Sequence, residues 1–236
     1  MESRWSDTEA RSFVERWPDA GPELALRVYT SRLIGAEADL VMHGGGNTSV
    51  KILQRDVLGE PVEAICVKGS GWDLDSIEPR GLPAMRLDGL RRLRRLDSLS
   101  DEEMVNQQRT HLFDSTSPNP SVETLLHAFL PHRFIDHTHA DAILALTNQP
   151  DGERLVREVL GDDVVIVPYV MPGFALAKLA AELFPGRTPL GNWLRIGDRR
   201  FRVVGVLAAQ GESLGFNTDE IVIVPVAAAV IPKMSV

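Results

Sequence analysis

Between Pro22 and about Leu40, the apolar positions Leu24, Leu26, Val28, Tyr29 and Leu33 recur at helical spacing, and the run stops at the turn-rich His43-Gly44-Gly45-Gly46-Asn47. The spacing predicts a helix feeding a glycine loop. Residues 48–53 and 62–68 read as two strands, and the second ends in another glycine turn, Gly69-Ser70-Gly71. Helical patterns follow at about 82–96, 101–111 and 121–131, the last after Pro118-Asn119-Pro120 with Ser121 as its N-cap. The period then changes. Residues 134–140, Phe-Ile-Asp-His-Thr-His-Ala, have the texture of a strand, followed by a helix near 151–160, a strand at 164–167 and a helix over 174–184. This is α/β alternation without an internal repeat or low-complexity tract.

Beyond Pro189 the pattern shifts. Trp193-Leu194-Arg195-Ile196 and the run 201–206, separated by Gly197-Asp198, predict a hairpin, and residues 221–224 predict a further strand. The chain is therefore expected to divide into a first domain, 1–189, and a β-rich tail of different character, 190–236.

A length of 236 residues suits one sizeable core, or one domain with an appendage. The composition, 44% hydrophobic and 25% charged, is that of an ordinary globular protein, and no window approaches the roughly 18 apolar residues of a membrane span. The N-terminus is polar and acidic and does not resemble a secretion signal, so a cytoplasmic protein is expected, with no membrane partner. Cys66, alone in an apolar run, reads as a buried small residue. A net charge of −8 argues against nucleic acid as the main partner. The basic run Arg91-Arg92-Leu93-Arg94-Arg95 is most simply the solvated face of a helix whose apolar side carries Leu87, Leu90 and Leu93.

The triplet His137-Thr138-His139 carries the most chemical information. On a strand, residues i and i+2 share a face, so both imidazoles would converge on one ion, and Asp141 at the same parity could orient one of them. Histidines that merely pack and hydrogen-bond are the alternative. Glu123, early in a predicted helix that leads into this strand, is either an acid complementing the helix dipole or a carboxylate placed to ligate a metal or shuttle a proton. The glycine loops fit neither an esterase, since no Gly-x-Ser-x-Gly elbow occurs within residues 1–189, nor a dinucleotide site, since no Gly-x-Gly-x-x-Gly occurs. Turn chemistry explains each singly. Together they offer backbone amides at strand ends, with Asn47, Thr48, Ser70 and Ser121 able to donate to a phosphate.

In order and spacing, the segments 43–51 (HGGGNTSVK), 68–74 (KGSGWDL), 121–127 (SVETLLH) and 136–141 (DHTHAD) resemble the class II aldolase/adducin family. The likeness is nearest to the aldolase part of bifunctional rhamnulose-1-phosphate aldolase/short-chain dehydrogenase proteins and extends through 164–173 to about residue 187. The resemblance implies an α/β fold of three αβα layers around a mainly antiparallel central sheet, often assembled as a homo-oligomer, a cyclic tetramer in particular. It implies zinc that polarises ketose oxygens and stabilises an enediolate. A glutamate moves protons during reversible cleavage of a ketose 1-phosphate, such as rhamnulose 1-phosphate, to dihydroxyacetone phosphate and an aldehyde. Carried to this sequence, His137 and His139 become metal ligands, Glu123 the acid/base, and Asn47, Gly69, Ser70 and Ser121 the binding residues for the phosphate of a small sugar.

Two departures temper the expectation. The family has a third metal histidine about sixty residues after its His-x-His pair, matching a three-ligand zinc site, whereas no histidine follows His139 here. In that stretch, residues 194–207 through 221–226 resemble a fragment of the extracytoplasmic domain of macrolide-exporter-type ABC permeases. The zinc site is thus expected to be weak or incomplete and the aldolase impaired. Alternatives are a non-catalytic, adducin-like or degenerate domain, or an epimerase or dehydratase on the same scaffold.

Overall fold

The computed structural model describes residues 3–161 and 164–183, together with the backbone of four short strands further on. The chain divides into two compact units, Met1–Pro185 and Gly186–Val236.

The first unit is built on a sheet of four strands in the order β3-β2-β1-β4, each neighbouring pair antiparallel. β1 (Asn47–Arg55) and β2 (Pro61–Val67) form a hairpin. Its turn is held by Asp56, whose Oδ1 accepts from the N–H groups of Leu58 and Glu60 at 2.8 and 3.0 Å. β3 (Ala84–Arg86) and β4 (Phe134–His137) are the edges.

Alternation along the strands sends successive side chains to opposite faces and so decides what each face meets. Val50 and Cys66 project towards α2 (Gly21–Gly35) and pack with Val28, Leu74, Ile77 and Leu82. Ile65 and Val67 project the other way, into a core built with α3 (Leu87–Arg92), α4 (Asp101–Thr110), α5 (Thr124–Phe129) and α8 (Phe174–Leu183). Helices on both faces of an antiparallel sheet make the αβα layering that the family resemblance implies. Each large apolar side chain buried in these two cores contributes about 1.5–3 kcal/mol. The remaining helices are α1 (Asp7–Arg16), α6 (Asp141–Thr147) and α7 (Gly152–Leu160).

Several elements differ from the sequence reading. The helix expected over 82–96 is instead β3, α3 and a short 3-10 turn at Leu93–Arg95. Pro83 lacks an N–H and disfavours helix in the residue before it, leaving Ala84–Arg86 to pair with β2. Residues 164–167 form no strand, because β propensity specifies a strand only where a neighbour supplies ladder partners, and among the described residues none does. Ser121 is not an N-cap. α5 begins at Thr124, and the Ser121 Oγ accepts from the Glu123 N–H two residues on, at 3.2 Å. Residues 134–140 are a strand only as far as His137, because β1 starts opposite it at Asn47 and leaves no partner for His139.

In the second unit, β5 (Trp193–Ile196) pairs antiparallel with β6 (Arg199–Arg202), with Ile196 opposite Arg199, and β7 (Glu212–Ser213) pairs with β8 (Phe216–Asn217). The expected strand at 221–224 lies outside the described residues.

Candidate active site

The site gathers where β1 and β4 begin and end together. Asn47 is the first residue of β1 and lies directly opposite His137, the last of β4. Both therefore share a face, on the side of α5. The neighbouring pair Thr48 and Asp136 takes the opposite face, where Asp136 ion-pairs with the buried Arg27 of α2 and Thr48 Oγ1 lies 2.7 Å from Ser31 Oγ. Thr48 is fully buried there, so it cannot belong to a phosphate site, contrary to the sequence expectation.

Glu123 stands at the N-cap position of α5 but caps nothing with its side chain. Its Oε2 accepts from Asn47 Nδ2 and lies 3.0 Å from His137 Nδ1. Asn47 Nδ2 also lies 3.4 Å from Ser121 Oγ. Oε1 of Glu123 has no hydrogen-bond partner among the described residues, and the carboxylate retains 16% exposure. Burial alone would push the Glu123 carboxyl up. It is outweighed by the His137 hydrogen bond and charge and by the Asn47 hydrogen bond, which together hold it below the ordinary glutamate value. Glu123 is thus a carboxylate at neutral pH.

Nδ1 of His137 is turned to Glu123 and its Nε2 has no hydrogen-bond partner among the described residues, an arrangement in which a carboxylate orients a ligand imidazole. His139 has left the strand, yet its ring centroid lies 4.9 Å from that of His137. What holds it is its N–H, which donates to the Leu40 carbonyl at 2.8 Å, and Gly45, where an added Cβ would sit 3.3 Å from the His139 Nδ1. Asp141, proposed above to orient a histidine, opens α6 and hydrogen-bonds neither imidazole. Among the described residues no group of three or more His, Cys, Asp or Glu side chains is arranged to hold a metal. The donors present fit two imidazole corners of a zinc site, and a third is not assembled by them.

The second glycine loop abuts the same region. Gly69 N–H donates to the Gly81 carbonyl at 2.8 Å and Ser70 N–H to the Asn119 carbonyl at 3.0 Å, two residues before Ser121. Both amides are spent on the fold, which leaves side chains to recognise a ligand. Lys68, overlooked in the sequence as the end of a strand, is buried beside this loop and donates from Nζ to the Gly44 carbonyl at 3.1 Å. His127, part of the same motif as Glu123, is a core residue. It is fully buried with Nδ1 2.8 Å from Ser49 Oγ, and burial lowers its pKa to about 3, so it stays neutral.

Residues 26–190 match the family described as class II aldolase and adducin N-terminal domain. The chain belongs to the class II aldolase/adducin family. Its aldolase-family domain resembles the solved N-terminal class II aldolase domain of a conserved protein from Thermoplasma acidophilum, with 42% identity, a TM-score of 0.67 and coverage of 78% of this chain and 81% of that one. It is also 44% identical over 155 residues to the uncharacterized oxidoreductase YuxG of Bacillus subtilis (strain 168). That match takes in 66% of this chain but only 22% of YuxG. Residues 174–235 match the MacB-like periplasmic core domain family, overlapping the end of the aldolase match. A 54-residue stretch, 22% of this chain, is 46% identical to 8% of the pyoverdine export ATP-binding/permease protein PvdT of Pseudomonas entomophila (strain L48). Among the described residues no helix is long and apolar enough to cross a membrane.

Proposed function

We propose that the aldolase-family domain is a metal-dependent lyase that cleaves a ketose 1-phosphate, such as rhamnulose 1-phosphate, to dihydroxyacetone phosphate and an aldehyde. The supporting observation is the Asn47–Glu123–His137 cluster, in which one carboxylate oxygen is tied to two neighbours and the other is left free.

His137 and His139 would hold zinc, which when bound supplies Lewis acidity towards the ketose oxygens. The chain's own residues do the rest. Glu123 Oε1 takes the proton of the hydroxyl next to the breaking carbon–carbon bond and passes it to the carbon that keeps the bonding electron pair, which completes dihydroxyacetone phosphate as the aldehyde leaves; synthesis runs the two transfers in reverse. Asn47 and His137 fix Oε2, so that the carboxylate neither rotates away nor drifts from the substrate carbon. Asn47, Ser70 and Ser121 offer side chains to the phosphate end, with Gly69 letting its loop pack against Pro118 and Asn119, so that Ser70 lies near the segment that carries Ser121. We place this activity in a cytoplasmic homo-oligomer, its rate limited by the two-imidazole metal site. The test is release of dihydroxyacetone phosphate from ketose 1-phosphates by the purified full chain.

We further infer that residues 190–236 are an appendage of separate origin, in keeping with the second family match over 174–235. Truncation after Pro189 is then expected to leave the aldolase-family domain folded, with a melting temperature within a few degrees of the full chain, because its two cores are made by residues up to Ala181. Insolubility of the 1–189 fragment, or a change in its assembly by light scattering, would make the tail integral.

A further inference from the structure

Three alternate side chains of β1 reach α5 in order. Asn47, Ser49 and Lys51 share one face of the strand, and they meet in turn the Glu123 carboxylate, the His127 imidazole and the carbonyls of Leu130 and His132. α5 therefore runs alongside β1 in the same direction. Two residues of strand advance about 6.8 Å and four residues of helix about 6 Å, so the first two pairs close together at one register. Sliding α5 by a single residue would move it about 1.5 Å and turn it by about 100°, which breaks both. The His127 N–H also donates to the Glu123 carbonyl at 3.2 Å, so imidazole and carboxylate stand at the two ends of one helical turn.

The middle pair is unfavourable as packing. Ser49 and His127 are both fully buried, with Nδ1 2.8 Å from Oγ, and the His127 Nε2 has no partner among the described residues. A core imidazole with one nitrogen unpaired stabilises less than an apolar side chain of its size. What the imidazole adds is a directional bond that selects one arrangement of helix on strand. α5 is only six residues long and takes its placement from such contacts. We propose that Ser49 and His127 are the positioning pair of this site: the bond between them fixes the register of α5 on β1, and with it the Glu123 carboxylate between Asn47 and His137. Burial keeps the imidazole neutral, with a pKa of about 3, so it adds no positive charge that would weaken Glu123 as a base. The effect on turnover rests on the lyase reading, whereas the placement of Glu123 is a property of the fold.

Nitrogen NMR of the full chain, isotope-labelled in histidine and dialysed against a chelator, tests it at about pH 8, where an ordinary imidazole is neutral. A carboxylate only accepts hydrogen bonds, so Glu123 holds the proton of His137 on Nδ1, whereas an unrestrained histidine prefers it on Nε2. The His137 signals are identified by their absence from His137→Ala. Wild type is expected to carry the proton on Nδ1, and Ser49→Ala and His127→Leu to shift it towards Nε2 while remaining folded. In the dihydroxyacetone phosphate assay with zinc, each should lose about tenfold or more in kcat with little change in KM. The double variant should lose no more than the worse single one, and His127→Asn, whose amide stands in for Nδ1, should recover most of the loss. A wild-type proton on Nε2, a proton on Nδ1 in both variants, or unchanged kcat in an active enzyme would overturn the proposal. So would additive losses, a His127→Asn no better than His127→Leu, or collapse of both single variants, which would make the pair structural. The proton shift in the variants without release of dihydroxyacetone phosphate by wild type would instead keep the pair and remove the lyase reading.

Discussion

Glu123→Gln is expected to lower dihydroxyacetone phosphate release by about a hundredfold or more while leaving the fold intact. Gln keeps the size of Glu and can still accept from Asn47 Nδ2 through its amide oxygen, so the approach to His137 survives in shape. What disappears is the negative charge and the basic Oε1. Circular dichroism and melting temperature should match wild type, and the loss should lie in kcat with little change in KM, because proton transfer is a transition-state contribution. Unchanged turnover would remove Glu123 from the proton path. Loss of the folded state would instead make its hydrogen bonds to Asn47 and His137 structural.

Gly46→Ala should be nearly as damaging, for a different reason. Gly46 has φ +64, where a side chain is strained, and an added Cβ would lie 2.6 Å from the His137 carbonyl oxygen and 2.7 Å from Val41 Cγ1. The first contact is backbone and cannot rotate away. The left-handed conformation alone costs about 1–2 kcal/mol, and relief of the contact must push β4 away from the start of β1. The expected result is a melting temperature lower by several degrees and a loss of turnover larger than that destabilisation explains, since His137 moves relative to Glu123. A variant with wild-type stability and activity would mean that this loop does not set the position of His137.

The two central strands were legible because alternation and turn chemistry are local, whereas the layering came from the family resemblance. Thr48 to Leu53 and Val62 to Lys68 carry strand residues between unmistakable turns, and the observed bounds differ from expectation by a residue or two at each end. The misreadings came where tertiary partners decide. Residues 164–167 are as β-prone as any in the chain but have no ladder neighbour among the described residues, and Ala84–Arg86, ahead of the helical spacing of Leu87, Leu90 and Leu93, are taken by the edge of β2 instead of opening a helix. α1 did leave a signal, Ser6-x-x-Glu9, which the structure uses when Ser6 Oγ accepts from the Glu9 N–H at 3.4 Å.

At the site, the nearness of Glu123 to His137 rested on the family resemblance, because nothing local brings residue 123 to residue 137 across the face of a sheet. His139 converges on His137 for a reason other than strand parity. Its hold comes from Leu40 and Gly45 in the loop before β1, contacts that no pattern within residues 134–140 encodes. Lys68 lies in the segment 68–74, where its position at the end of a strand reads as that of an ordinary solvated lysine. Its burial and its reach to Gly44 are tertiary facts.

The central claim is metal-assisted cleavage of a sugar phosphate by this domain, and zinc titration of dihydroxyacetone phosphate release measures it most directly. Three protein ligands are usual for catalytic zinc, and the described residues supply two imidazoles, with the Glu123 carboxylate committed to His137 and Asn47. The account predicts that protein dialysed against a chelator retains little zinc, that release of dihydroxyacetone phosphate is then low, and that it rises on adding zinc in wild type but not in His137→Ala. An intact fold that neither takes up zinc nor releases dihydroxyacetone phosphate at any zinc concentration would contradict it and leave an aldolase scaffold without its catalyst.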